Sequence, residues 1–298
     1  MIKTVLFDLD GTLLNSNGEV SPYTQKVLSE ASDRGVVVIP ATGRPLASLP
    51  PVVAKQPWVH YALTSNGAAV WDLGGDPLGC VYSRYANAAE HETSQPECIV
   101  RRCFPVEKAR EVFGLYQEFE GSLSVFSDGR VIRDRLAQER MGNHLRRLLS
   151  LSTEAKQPND GRFHIVGDTA EWMSRHAHEI EKFCMFFENA EAAEAALPRF
   201  YALEGVEVVQ GSPDNIEVTA KGVDKGSALL ALADRLGIPH ECTLAVGDSD
   251  NDRAMLEKAG VAAVMANGME RVKQLADIVS ENDCDHDGVA EIFARLSV

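Results

Sequence analysis

Val5-Leu6-Phe7-Asp8-Leu9-Asp10-Gly11-Thr12-Leu13 opens the chain and governs how the remaining sequence is read. Residues 1–7 read as a short, mostly apolar strand with one charge at Lys3, ending on two carboxylates and a glycine. Asp8 and Asp10 are two positions apart, so an extended backbone projects both to one side, and Gly11 permits a sharp turn with positive φ. Two acids facing one small volume must share a cation, split their protonation states or repel. An Asx-type turn at a strand end uses the same residues, so this stretch alone leaves both readings open.

Beyond it, Ser21-Pro22, apolar Val27, Leu28 and Ala31, and Gly35 read as a capped helix, followed by the β-branched run Val36-Val37-Val38-Ile39. Strand, helix, strand in about 40 residues is a βαβ unit, which implies a parallel sheet with right-handed crossovers. Pro50-Pro51 breaks any helix begun after Arg44, and a short strand near Tyr61–Thr64 ends in Ser65-Asn66-Gly67. From about Arg84 the pattern changes, with a polar stretch through Gln95 and then mixed strand and helix segments to about Gly211. Helices are expected over 107–119 and 190–201. Strands are expected at 123–126 and 131–133 around the turn Ser127-Asp128-Gly129, and at 182–187 and 206–209. The α/β rhythm returns after Ile216, with a helix over 226–236 closed by Gly237, strands at 243–246 and 261–265, and a last helix to Leu296. Both ends of the chain thus form one doubly wound α/β sheet, with an α+β module inserted between them. Ligands in such sheets sit beyond the carboxyl ends of the strands.

The chain has 298 residues, 45% of them hydrophobic and 24% charged, which suits a globular protein of two domains. No apolar run reaches membrane-spanning length, and acids interrupt the first strand too early for a signal-peptide core, so the expected location is cytosolic. The formal charge of −15 repels phosphate backbones, which argues against nucleic acid as a partner. The same field repels a small phosphorylated substrate, so a site for one needs local cations. Six cysteines form no CxxC pair and no zinc-spaced cluster, and they read as reduced and structural.

Four polar clusters fall at expected strand ends or helix starts. Asp8 and Asp10 form the first. In Ala41-Thr42-Gly43-Arg44, Thr42 offers a hydroxyl and Gly43 an unobstructed N–H, both suited to phosphate oxygens and both equally at home in a plain turn. Lys225, between Asp224 and Gly226 at a helix mouth, combines a cation with free N–H groups, although Lys221 competes for that role. Asp248-Ser249-Asp250-Asn251-Asp252 places three carboxylates in five residues, more than an N-cap requires, and hard oxygen donors of this kind suit Mg²⁺.

Together these clusters resemble, in order, the haloacid dehalogenase superfamily of phosphatases. Ser65-Asn66-Gly67-Ala68 and the long insertion resemble its Cof-type subfamily, which has a large α/β cap. The resemblance implies a catalytic core over 1–83 and 212–298 and a cap over 84–211. It further implies Asp8 as nucleophile, forming an aspartyl-phosphate, and Asp10 as the acid that protonates the leaving oxygen and then activates water. Asp8, Asp248 and the Asp10 carbonyl are the implied Mg²⁺ ligands, and Leu9, Thr42, Gly43, Lys225 and Asn251 the implied phosphate-binding set. Asp252 is expected to orient Lys225 or the metal shell rather than bind the metal. The expected function is Mg²⁺-dependent hydrolysis of a small phosphorylated metabolite, a sugar phosphate first among them. A sugar phosphomutase and a non-catalytic binding protein of the same fold are the alternatives. Arg130, Arg133 and Arg135 are candidates for specificity and equally candidates for surface charge.

Overall fold

A computed structural model describes residues 1–74, 96–148 and 163–298. In chain order the part of the chain up to Arg101 holds β1 (Thr4–Phe7), α1 (Pro22–Asp33), β2 (Val37–Pro40), α2 (Pro51–Ala54), β3 (Tyr61–Thr64), β4 (Ala69–Asp72) and β5 (Glu97–Arg101). The middle holds α3 (Val106–Tyr116), β6 (Ser122–Ser127), β7 (Arg130–Asp134), α4 (Arg135–Leu148), β8 (Phe163–Val166), α5 (Thr169–His176), β9 (Ile180–Phe186), α6 (Ala190–Tyr201), β10 (Val206–Val209) and β11 (Asn215–Ala220). The last stretch holds α7 (Lys225–Arg235), β12 (Thr243–Gly247), α8 (Arg253–Lys258), β13 (Val261–Val264), α9 (Glu270–Lys273), β14 (Ile278–Val279) and α10 (Gly288–Leu296). The chain divides into two compact units, Met1–Arg101 with Asp224–Val298, and Arg102–Val223.

In the first unit, β14-β13-β12-β1-β2 form a parallel sheet. Its strands are apolar on both faces, as helix-covered parallel strands must be. Val5 and Phe7 of β1 pack with Leu244 and Val246 of β12 into a layer closed by Leu28 of α1 and Ile292 and Phe293 of α10. Leu6 and Ala245 point the other way, against Leu229 and Leu232 of α7 and Met255 of α8. Each such side chain contributes roughly 1.5–3 kcal/mol relative to exposure, so apolar contacts on both faces hold β1 in place. The register Phe7↔Val246 and Phe7↔Pro40 brings the ends of β1, β12 and β2 level. Three of the four polar clusters therefore leave the sheet at one edge, with the chain reversing direction across the sheet at β1.

Local signals explain the flanking elements. Ser21 caps α1 by accepting the Thr24 N–H, with Pro22 in the first turn, and Gly35 follows the helix end at φ 88°. The Pro50-Pro51 pair does end the preceding turn, but Pro51 also starts α2, where its missing N–H costs nothing. The antiparallel group β3-β4-β5 adjoins β2 through bridges Val38↔Val59 and Ala41↔Leu63.

The second unit is a six-stranded sheet in the order β10-β11-β9-β6-β7-β8, antiparallel except where β7 meets β8. Asp128 and Gly129, both at positive φ, make the tight β6–β7 turn. Phe183 of β9 packs among Phe104 and Tyr116, and Tyr116 against Phe200. Arg133 is not a surface charge: it is buried, donates to Ser124 Oγ at 2.7 Å and lies over the Phe163 ring.

The boundary expected at 83/84 lies outside the described residues, as does the polar stretch 84–95. The boundary expected at 211/212 falls instead after Val223, because β11 pairs with β9 and β10 and so belongs to the inserted sheet.

Candidate active site

Gly11, at φ 81°, turns the chain just past Asp8 and Asp10, and a Cβ there would meet Asp248 Oδ2 at 2.7 Å. Only glycine allows the first loop to lie this close to the Asp248 carboxylate. Thr12 Oγ donates to Asp248 Oδ1 at 2.7 Å, and Asn267 Nδ2 donates to the Gly11 carbonyl at 2.7 Å. The loop after β1 is thereby tied to those after β12 and β13. Leu9 is fully buried, and its side chain packs into the apolar layer beneath.

Lys225 begins α7 with its side chain 0% exposed. Its Nζ donates to Asp8 Oδ1 and to Asp252 Oδ1, each at 2.7 Å. The helix start is fixed by Asp224, whose side chain accepts the Ser227 N–H at 2.6 Å and is held in turn by Lys258. Lys221 stands elsewhere, 73% exposed and paired with Glu207. The other oxygen of Asp252 accepts the N–H groups of Asp248 and Ser249, at 2.9 and 3.1 Å. Asp250 is taken up by an exposed ion pair with Arg271.

Asp8, Asp248 and Asp252 bring carboxylate oxygens within 4.8 Å of one another, a grouping that can hold a metal ion. Burial raises the Asp8 pKa to about 8, with Asp252 and Asp248 adding to the rise and Lys225 opposing it. Burial and Asp252 likewise raise Asp248 to about 6. Burial works against the charge of Lys225, but Asp252 and Asp8 hold its pKa above that of an ordinary lysine. The excess of carboxylates over buried cations is what a divalent ion relieves, and hard oxygens are its preferred donors. Within this group Asp252 also accepts from Lys225 and from two amides, Asp8 from Lys225 and Asp248 from Thr12.

Thr42 is buried at the end of β2, its N–H bonded to the Leu63 carbonyl and its hydroxyl accepting the Arg44 N–H at 3.1 Å. Half-buried Gly43 lies between them. Asn251 is half-buried, its Oδ1 accepting from Ser249 Oγ at 2.8 Å. Asp10 lies outside the carboxylate group, its side chain 60% exposed and gripped by Arg44. Thr12, Arg44 and Asn267 were not singled out from sequence. Thr12 and Arg44 sit inside the sequence motifs, but their partners are 236 and 34 residues away. Asn267 carries no local signal.

The chain is matched over residues 5–293 by the family of haloacid dehalogenase-like hydrolases. It is 30% identical to Phosphatase YwpJ of Bacillus subtilis, over 99% of this chain and all of that one. It is 26% identical to the 5-amino-6-(5-phospho-D-ribitylamino)uracil phosphatase YcsE of the same organism, over 97% of this chain and 94% of the relative. A solved haloacid dehalogenase-like hydrolase from B. subtilis superposes with a TM-score of 0.77 at 27% identity, covering 99% of this chain and 100% of that one. The protein belongs to the haloacid dehalogenase-like hydrolases. Within them it is a phosphatase of phosphoric monoesters with a Cof-type cap. No described helix is long and apolar enough to cross a membrane.

Proposed function

We propose that this phosphatase hydrolyses a small phosphorylated metabolite, a sugar or polyol phosphate first among them, through an aspartyl-phosphate on Asp8. The observation that carries this is the buried bridge from Lys225 Nζ to Asp8 Oδ1 and Asp252 Oδ1. It fixes one carboxylate at a strand end, beside a cation able to meet a phosphate oxygen. The relative that acts on a phosphorylated ribityl compound supports a polyol-like leaving group.

In this reading Asp8 attacks phosphorus while Asp10 gives a proton to the leaving oxygen. Asp10 then takes a proton from the water that frees phosphate and regenerates Asp8. Thr42, the Gly43 N–H, Lys225, Asn251 and the backbone at Leu9 position the phosphoryl oxygens, which is most of what phosphoryl transfer asks of a protein. Asp8, Asp248 and the Asp10 carbonyl would hold Mg²⁺. When bound, Mg²⁺ supplies positive charge that offsets the carboxylates and the phosphoryl group, keeping Asp8 ionised near neutral pH. The test is phosphate release from a panel of phosphorylated sugars, polyols and nucleotides, with Mg²⁺ or with chelator. Mg²⁺-dependent preference for the sugars and polyols is expected. Equal rates in chelator, or activity confined to nucleotides, would contradict it.

A further inference from the structure

Arg44 leaves β2 with both backbone polar groups engaged, its N–H on Thr42 Oγ at 3.1 Å and its carbonyl accepting the Ser65 N–H at 2.9 Å. From that base its guanidinium reaches the first loop. Nε donates to Asp10 Oδ2 at 3.1 Å and Nη2 to Oδ1 at 2.7 Å. One planar fork thus meets both oxygens of one carboxylate, an arrangement a lysine cannot reproduce. Ion pairs as exposed as this one contribute little to stability. What the fork does supply is orientation, since a carboxylate so open to water otherwise samples several rotamers.

We propose that Arg44 is a positioning residue for the second half of the reaction, aiming the Asp10 carboxylate at the water that attacks the phosphorylated Asp8. The proposal rests on the aspartyl-phosphate reading above. In this half the water oxygen bonds to phosphorus, and the bond from phosphorus to the Asp8 oxygen breaks with its electron pair returning to the Asp8 carboxylate. The water proton passes to Asp10, and inorganic phosphate departs. The first half asks Asp10 for a proton instead. An activated leaving group removes that demand, so p-nitrophenyl phosphate isolates the step in which Arg44 acts.

The experiment is rapid-quench kinetics of p-nitrophenyl phosphate with Mg²⁺ on the wild type, Arg44→Ala and Arg44→Lys, following nitrophenol release and protein-bound phosphoryl. A positioned general base is worth about 10²–10⁴ in rate, so Arg44→Ala should slow steady-state turnover about tenfold or more while first-turnover release stays within about twofold. Protein-bound phosphoryl should rise, and Arg44→Lys should recover a minor part of the turnover. Equal loss in both phases would make Arg44 a structural part of the phosphate site and overturn the proposal. Unchanged or faster steady-state turnover would overturn it too. Wild-type-like turnover by Asp8→Asn would remove the aspartyl-phosphate, and the proposal with it, which is distinguishable from a failure confined to Arg44.

Discussion

Two lysines near the start of α7 differ by four positions and by nearly everything else. Lys225 is enclosed and touches Asp8 and Asp252, whereas Lys221 is exposed and pairs with Glu207 across 3.6 Å. Removing one partner of a buried ion pair strands the other charge and typically costs about 3–5 kcal/mol. Lys225→Ala should therefore lower both Tm and kcat/KM steeply, and Lys221→Ala should move neither. Paired melting curves and steady-state kinetics decide this, and equal losses would displace Lys225 from the site. The place of Lys225 at the mouth of α7 was legible in sequence because it directly precedes Gly226. The grip of Arg44 on Asp10 was not legible, since nothing local tells an arginine after a strand which earlier carboxylate it will meet.

Among the elements, the turn after β1 couples backbone conformation to chemistry. Gly11 and Gly18 both sit at positive φ, 81° and 74°, but an added Cβ meets the Asp248 carboxylate at Gly11 and nothing within 4 Å at Gly18. Each Ala substitution carries a left-handed backbone cost of about 1–2 kcal/mol. Gly11→Ala should in addition push Asp248 out of place and lose most activity, while Gly18→Ala should keep kcat/KM near wild type. Comparing the two at matched stability separates the effects, and similar activities would show that the close approach of Gly11 to Asp248 is dispensable. Strand patterns also show why the inserted unit was only partly read. β1, β2 and β12 are near-continuous apolar runs, as buried parallel strands are, but β11 alternates Asn215, Glu217 and Thr219 with Ile216, Val218 and Ala220. That period of two marks an antiparallel sheet, and it assigns β11 to the inserted sheet. α4 escaped because its sequence, RLAQERMGNHLRRL, is mostly polar and offers few apolar residues to mark a buried face.

For the molecule as a whole, the buried carboxylates link metal, pH and stability. Burial raises the carboxyls of Asp8 and Asp248 from an ordinary 3.8 to about 8 and about 6. The folded state thus binds protons more tightly than the unfolded chain. Their contribution is fully present below about pH 4 and is lost as pH rises through 6 and then 8. Mg²⁺, by compensating the ionised forms, should reverse that trend. The Tm gained on adding Mg²⁺ to chelator-treated protein should therefore grow between pH 6 and 8, and a gain independent of pH would disconnect the ion from these carboxylates. Every catalytic step proposed for this fold depends on attack at phosphorus by the Asp8 carboxylate, and its sharpest test is turnover of p-nitrophenyl phosphate by Asp8→Asn with Mg²⁺, in a variant shown by its melting curve to be folded. The amide fills the same volume but cannot attack, so turnover should fall below a few per cent of wild type, whereas a folded Asp8→Asn protein with wild-type turnover would contradict that role.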